Sequence, residues 1–309
     1  MKKISVIVPC YNEEATIELF HEAITKFWES EPNLKDNYEL ELQLVNDGSK
    51  DRTADILKAL ADKDTRVHYT SFSRNFGKEA AIFCGLKLVT GDAAVVIDAD
   101  LQHPVETIKD MVLEWEKGFD IVEGRKEERG KESGVHKLFA NMFYGIISRL
   151  TGFDMKNSSD FKLIDRKVID ALNDISESET FFRAMSFWVG FKSTTVSYTV
   201  NDRVAGESKW STRSLIRYAF KNITSFTYSP LYIIMYLGII VLLVGIILGI
   251  DAIVTFFKGS AMSGYPSLII LIVLATGAIL LSLGVIAVYI AKIYQEVKAR
   301  PRYIIGDKK

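Results

Sequence analysis

Several things are scarce in this 309-residue chain. Its two cysteines, Cys10 and Cys84, are too few for a disulfide scaffold. Both sit in or beside apolar segments, the expected setting of buried, reduced thiols in a cytosolic compartment. The four histidines, His21, His68, His103 and His136, are scattered without the spacing of a zinc site. Six prolines and 20 glycines are no enrichment, and with 48% hydrophobic residues they exclude a disordered chain. A secretory leader is not expected either, because the apolar run Ile4 to Val8 is cut by Pro9 and followed by Asn12-Glu13-Glu14. No Gly-x-Gly-x-x-Gly follows the first apolar run and no Gly-x-x-x-x-Gly-Lys-Ser/Thr occurs anywhere, so a dinucleotide oxidoreductase and a P-loop NTPase both lose their main support.

Net charge is almost absent too, at −1, but that sum hides a division. Residues 1 to 200 carry 26 Lys+Arg against 34 Asp+Glu, whereas residues 201 to 309 carry 12 against 5. The two parts are built for different surroundings. Between Leu231 and Phe257 the only charge is Asp251, and between Leu268 and Ala291 there is none. Roughly 20 apolar helical residues cross a hydrocarbon layer of ~30 Å, so both stretches read as membrane spans. Lys209, Arg213, Arg217 and Lys221 precede the first, and Lys292, Lys298, Arg300, Arg302, Lys308 and Lys309 follow the second, while the loop between them has Lys258 alone. The positive-inside tendency then puts both termini on the cytoplasmic side of a multi-pass protein of the cytoplasmic membrane. Trp210 to Phe226 alternates an apolar face with Arg213, Arg217 and Lys221 on another, as in a helix lying on a bilayer. The expected organisation is a catalytic domain at 1–209, an interfacial helix at 210–229, spans at 230–257 and 267–293 joined by an external loop at 258–266, and a basic tail at 294–309.

The first 200 residues alternate strand and helix. Ile4 to Val8, Glu39 to Val45, Val67 to Phe72, Ala93 to Ile97 and Asp120 to Glu123 read as strands. Helical stretches follow the first four, at Ala15 to Trp28, Thr53 to Asp62, Glu79 to Val89 and Pro104 to Lys117. This predicts an α/β fold with a mostly parallel sheet, whose ligands sit beyond the carboxyl ends of the strands. Those ends read Pro9-Cys10-Tyr11-Asn12-Glu13-Glu14, Asn46-Asp47-Gly48-Ser49, Ser73-Arg74-Asn75-Phe76-Gly77-Lys78 and Asp98-Ala99-Asp100-Leu101-Gln102. In extended backbone Asp98 and Asp100 point the same way, and two hard carboxylates suit Mg2+ or Mn2+ alongside substrate phosphates. Taken alone, either Asp could equally be a loop residue leading into the helix that Pro104 opens. The aromatics Phe181, Phe182, Phe187, Trp188 and Phe191 read as core or membrane-facing, with Arg183 an embedded cation among them.

These strand ends, together with Ser159-Asp160-Phe161-Lys162-Leu163 and Arg203-Val204-Ala205-Gly206-Glu207-Ser208-Lys209-Trp210, resemble the GT-A fold glycosyltransferases of family 2. Within that family the resemblance is to the polyprenyl-phosphate glycosyltransferases related to dolichol-phosphate mannose synthase and bactoprenol glucosyltransferase. It implies a GT-A nucleotide-sugar-binding domain followed by interfacial helices and two transmembrane helices. It further implies that Pro9, Tyr11, Asn12, Glu13 and Asp47 hold base and ribose beside Lys78 and Asp98. Asp98, Asp100 and Gln102 would hold Mg2+ or Mn2+ on the diphosphate, and Asp160 would be the catalytic acidic residue beside the acceptor, as a base or as an orienting group. Arg125, Lys137, Arg203, Ser208 and Lys209 would contact the lipid phosphate or the diphosphate.

The expected activity is inverting, metal-dependent transfer of a hexose, glucose from UDP-glucose, to undecaprenyl or another polyprenyl phosphate. The expected partners are the nucleotide sugar, the lipid phosphate, the bilayer and, by resemblance, further copies in a homo-oligomer such as a tetramer; no nucleic acid is expected. A processive polysaccharide synthase is a rival of the same superfamily, but Gln-x-x-Arg-Trp is absent and two spans make a poor conduit. A non-catalytic membrane scaffold that binds nucleotide sugars is the other.

Overall fold

The structure is a computed structural model and describes residues 1–126, 159–177, 181–199, 229–258 and 265–309. Lys137, Arg203, Ser208, Lys209 and the amphipathic segment Trp210 to Phe226 lie outside the described residues. The chain divides into two units, Met1–Ser211 with Pro301–Lys309, and Thr212–Arg300.

The first unit is organised by strand β1 (Lys2–Cys10), in which Ile4, Val6, Ile7 and Val8 are fully buried. An apolar run broken only by Ser5, whose hydroxyl bonds to Glu41, suits a strand covered on both faces. β2 (Tyr38–Asn46), β3 (Val67–Phe72) and β4 (Ala93–Val96) extend the sheet in parallel, with β1 between β2 and β4. β5 (Ile121–Lys126), β6 (Lys162–Asp165), β7 (Ser193–Tyr198) and β8 (Ile305–Lys308) complete the order β7-β5-β6-β4-β1-β2-β3-β8. β6 runs antiparallel to both β4 and β5, and β8 runs antiparallel to β3.

Helices α1 (Ile17–Ser30), α2 (Pro32–Lys35), α3 (Thr53–Lys63), α4 (Lys78–Leu88), α5 (Thr107–Glu116), α6 (Arg166–Asn173) and α7 (Phe182–Trp188) belong to the same unit. α1 buries Ile17, Phe20, Ile24 and Trp28, the i, i+3, i+4 stripe of a helix with one covered face. α4 buries every residue from Ala80 to Leu86, so it is enclosed rather than laid on the surface. The chain order moves outward from β1 through β2 to β3 and then returns to the other side of β1 at β4. The carboxyl ends of β1 and β4 therefore flank a topological switch point, the place where open sheets of this kind offer a ligand crevice.

β5 continues beyond the expected Glu123 to Lys126, and the sequence reading contains no counterpart of β6, β7 or β8. β6 is four residues long and its Lys162 is buried, because the ammonium pairs with Glu123 on β5 at 3.1 Å. The end of the expected basic tail needs correction. Ile305–Lys308 is a strand on the outer edge of β3, where the free backbone groups of an edge strand find partners. Its flanking cations are engaged within the unit: Arg302 donates to the carbonyls of Ile175 and Glu177, and Lys309 pairs with Asp62. Both cysteines are buried free thiols, as expected. Phe181 and Phe182 are core residues, whereas Phe187 and Trp188 are exposed.

The second unit contains α8 (Ser229–Phe257) and α9 (Tyr265–Val297), which touch each other. Among the described residues one segment, Ala275–Val297, is long and apolar enough to cross a membrane, and Ile234–Ile247 is a shorter apolar helical stretch. Apolar side chains such as Ile239, Leu243, Ile246, Leu280, Leu283 and Ile290 stand exposed on the two helices.

Candidate functional site

The crevice at the β1/β4 switch point gathers most of the expected site residues that the structure describes. After β1 the backbone turns through Asn12 at φ 56°, a left-handed conformation that Asn tolerates better than most residues. That turn is tied to the turn after β2: Asn12 N–H donates to Ser49 Oγ at 2.9 Å, and Lys50 N–H returns a bond to Asn12 Oδ1 at 2.9 Å. Glu13 N–H donates to Thr53 Oγ1 at 2.9 Å, so Pro9, Tyr11, Asn12 and Glu13 form one fixed rim on which Tyr11 is exposed.

Asp47 is buried at 2% exposure and organises a neighbouring loop. Its carboxylate accepts from the Asn75 side-chain amide at 2.8 Å, from Phe76 N–H at 2.6 Å and from Gly77 N–H at 2.9 Å. The following residue, Gly48, has φ +63°, and a Cβ there would lie 2.3 Å from the carbonyl carbon of Arg74. The loops after β2 and β3 thus pack backbone against backbone, and only glycine allows it. With its oxygens taken by protein donors, Asp47 shapes the walls of the crevice.

Across the crevice lies a chain of alternating charges. Lys78 Nζ stands 2.6 Å from Asp98 Oδ1 and 2.9 Å from Asp160 Oδ2. Arg183 grips Asp160 with both prongs, Nε to Oδ1 at 2.7 Å and a terminal nitrogen to Oδ2 at 2.9 Å. Bidentate guanidinium binding of this kind fixes direction as well as charge. His103 Nε2 approaches Asp98 at 3.8 Å, and its ring packs against Phe161 and Tyr198. Burial alone would raise the carboxyl of Asp98, but Lys78 and His103 outweigh it and hold Asp98 down to about 2. Burial likewise opposes ionisation of Asp160, and Lys78 and Arg183 override it and keep Asp160 well below the ordinary carboxylate range. Lys78 is held up by the same two anions against its own desolvation.

One carboxyl goes the other way. Glu79, in the first turn of α4, is pushed up to about 7, first by burial and then by the charge of Asp160. It accepts the Phe182 N–H at 2.7 Å and so connects the start of α4 to the start of α7, which carries Arg183. Sequence reasoning gave no role to Glu79 or His103 and singled out Arg183 only as a cation among aromatics. An Arg flanked by core aromatics was the available signal, because burial next to Phe181 and Phe182 demands an anion within reach.

Asp100 and Gln102 lie in a tight turn after β4. Leu101 has φ 57° and Gln102 N–H donates to Asp100 Oδ1 at 3.1 Å. Burial raises the carboxyl of Glu13, and the charges of Asp100 and Asp98 raise it further, so three carboxylates share this end of the crevice. Among the described residues no group of three or more His, Cys, Asp or Glu is arranged to enclose a metal unaided. An all-oxygen pair such as Asp98 and Asp100 nevertheless fits a hard divalent cation, which takes one or two carboxylates and completes its shell with water and phosphate oxygens. Arg125, on β5, has a buried Nε without a partner among the described residues.

Comparison with known proteins identifies the family. Residues 5–188 match the family model for glycosyl transferase family 2. The chain is 41% identical over 303 residues to YkcC, an uncharacterized glycosyltransferase of Bacillus subtilis, covering 97% of this chain and 92% of the relative. It is 38% identical over 309 residues to a bactoprenol glucosyl transferase of Shigella phage SfX, covering 99% of this chain and 100% of that one. Among solved structures, glucosyl-3-phosphoglycerate synthase from Mycobacterium tuberculosis, in complex with Mn2+, UDP-glucose and phosphoglyceric acid, shares the fold. The TM-score is 0.51 at 20% identity, covering 71% of this chain and 76% of that one. The GT-A-like sheet, the polar strand ends at its switch point and near full-length similarity to named glycosyltransferases lead to one conclusion: the chain is a glycosyltransferase and belongs to glycosyl transferase family 2.

Proposed function

We propose that the protein transfers a hexose, glucose from UDP-glucose, to undecaprenyl or another polyprenyl phosphate at the cytoplasmic face of a membrane. The observation that carries this reading is the end-to-end similarity, apolar helices included, to the relative named bactoprenol glucosyl transferase. On the donor side, Pro9, Tyr11, Asn12 and Glu13 and the loop ordered by Asp47 take the base and ribose. Asp98, Asp100 and Gln102 would hold Mg2+ or Mn2+, which when bound would neutralise charge on the departing diphosphate.

The acceptor needs little activation, since a phosphate monoester with a second pKa of about 6 is already anionic at neutral pH. Asp160, gripped by two cations, is a poor base and serves to hold Lys78 and Arg183 in register. One phosphate oxygen of the lipid forms a bond to the anomeric carbon as that carbon's bond to the diphosphate breaks, and the electron pair leaves with the nucleoside diphosphate. Displacement from the opposite side inverts the centre, giving a β-linked product from an α-linked donor. Arg125, Lys137, Arg203, Ser208 and Lys209 are the groups proposed to grip the phosphates, while α8 and α9 span the bilayer with both termini cytoplasmic. The chain works as a homo-oligomer in this reading. Catalysis is mainly the holding of two anions in line, with fixed charges placed against their repulsion.

The test is incubation of membranes containing the protein with a panel of UDP- and GDP-sugars and undecaprenyl phosphate, followed by mass spectrometry of the lipid. A single hexose on the lipid phosphate, lost on chelation and restored by Mn2+ or Mg2+, is expected. Polymer, or an unmodified lipid with every donor, would refute the reading.

A further inference from the structure

The loop that orders Asp47 is supported from behind by a residue far away in sequence. The Tyr303 ring stacks on Phe72 at 4.9 Å between centroids and 8° between planes. Phe72, the last residue of β3, meets Phe76 edge to face at 5.8 Å and 87°. Phe76 in turn supplies the 2.6 Å backbone bond to Asp47, and the Arg74 guanidinium lies 4.1 Å over its ring. Tyr303 and Phe76 both pack on a buried cluster of Val45, Phe72, Ala80, Ala81 and Cys84, which runs under the ends of β2 and β3 and the start of α4. Ile304 accepts the N–H of Ser73.

We propose that Tyr303 is a positioning residue for the nucleotide site: its stacked ring fixes Phe72 and Phe76, and through them Asp47 and the 73–78 loop that ends in Lys78. The tolerance is small. A Cβ on Gly48 would already lie 2.3 Å from Arg74, so the loop after β2 has no room to follow a displaced loop after β3. The flat ring is the active feature, because stacking requires a face. Which ligand is affected rests on the nucleotide-sugar reading above; the packing relay itself does not.

The experiment uses the full chain in detergent and compares wild type with Tyr303→Ala, Tyr303→Leu and Tyr303→Phe. Hydrogen exchange of the peptide covering residues 73–78 is measured without ligand, and UDP binding is measured by calorimetry. Tyr303→Ala is expected to quicken exchange at Phe76 and Gly77 and to weaken UDP binding about threefold to tenfold, the scale of one lost aromatic contact. Tyr303→Phe restores both, and the KM for lipid phosphate stays at the wild-type value. Tyr303→Leu keeps apolar volume without a flat face, so it decides the matter should Tyr303→Ala unfold, and it is expected to resemble Tyr303→Ala at the loop. Unchanged loop exchange in both variants overturns the proposal, and so does faster exchange with UDP affinity intact. A wild-type protein that binds no UDP would refute the donor reading instead, and loop exchange alone would then decide the relay.

Discussion

At Asp160 the proposed role is that of holding two cations. A carboxylate held by Lys78 at 2.9 Å and by both prongs of Arg183 has little affinity for a proton, which favours that role over a base. Asp160→Asn keeps the shape and removes the charge, and transfer to lipid phosphate is expected to fall by about a hundredfold or more in a product assay. Asp160 is buried, and removing one partner of a buried ion pair costs about 3–5 kcal/mol, so the unfolding midpoint of the variant is measured beside its activity. Glu79 yields a pH signature. Its carboxyl releases a proton near 4.5 in an ordinary setting and near 7 in the folded chain. Between those values the folded state holds more protons, so stability falls as pH rises. Asp98 and Asp160, shifted down, contribute stability that is lost only on acidification below that window. Thermal unfolding from pH 5 to 7 should therefore show a declining midpoint that Glu79→Gln flattens.

Elements differed in how plainly the sequence announced them. β1 and β4 are legible because strands covered on both faces are mostly apolar, and Ile4 to Val8, with Ser5 the one exception, and Ala93 to Val96 are. β2 shows by the alternation of Tyr38, Leu40, Leu42 and Leu44, and β3 by its β-branched and aromatic residues. The carboxyl ends of those strands could then be placed at one edge, which brought Asp47, Asp98 and Asp100 together on paper. β6 was hidden by the buried Lys162, whose partner Glu123 lies 39 positions away. The pairing of Asp160 with Arg183 is likewise a long-range contact that no local pattern encodes. β8 was the least legible, since Ile305-Gly306-Asp307-Lys308 has weak strand preference and resembles a solvated tail. The edge of β3 supplies what its own residues do not, and the Tyr69 hydroxyl adds a 2.8 Å bond to Asp307. Removing residues 305–309 is expected to lower the unfolding midpoint of the catalytic unit, by about 2–4 °C for each kcal/mol lost. It should also promote association through the bared β3 edge, which light scattering would detect. An unchanged midpoint would mean that the strand only rests there.

For the whole molecule, the division of charge now has a structural counterpart. The acidic part supplies the crevice at the β1/β4 switch point, and the basic part borders two apolar helices, although Arg302 and Lys309 serve the catalytic unit. If α8 and α9 span a bilayer, the protein should remain in the membrane fraction through an alkaline carbonate wash and leave it only with detergent. Release by carbonate or high salt would reduce the helices to a surface attachment. The pairing of β8 with β3 also imposes an order in time. Residues 305–308 leave the ribosome after both helices, so the eight-stranded sheet is sealed only once α8 and α9 have been made. A nascent chain halted between β7 and β8 carries the crevice without the Tyr303 stack behind its loop, and completion of the enzyme waits on synthesis of its apolar helices.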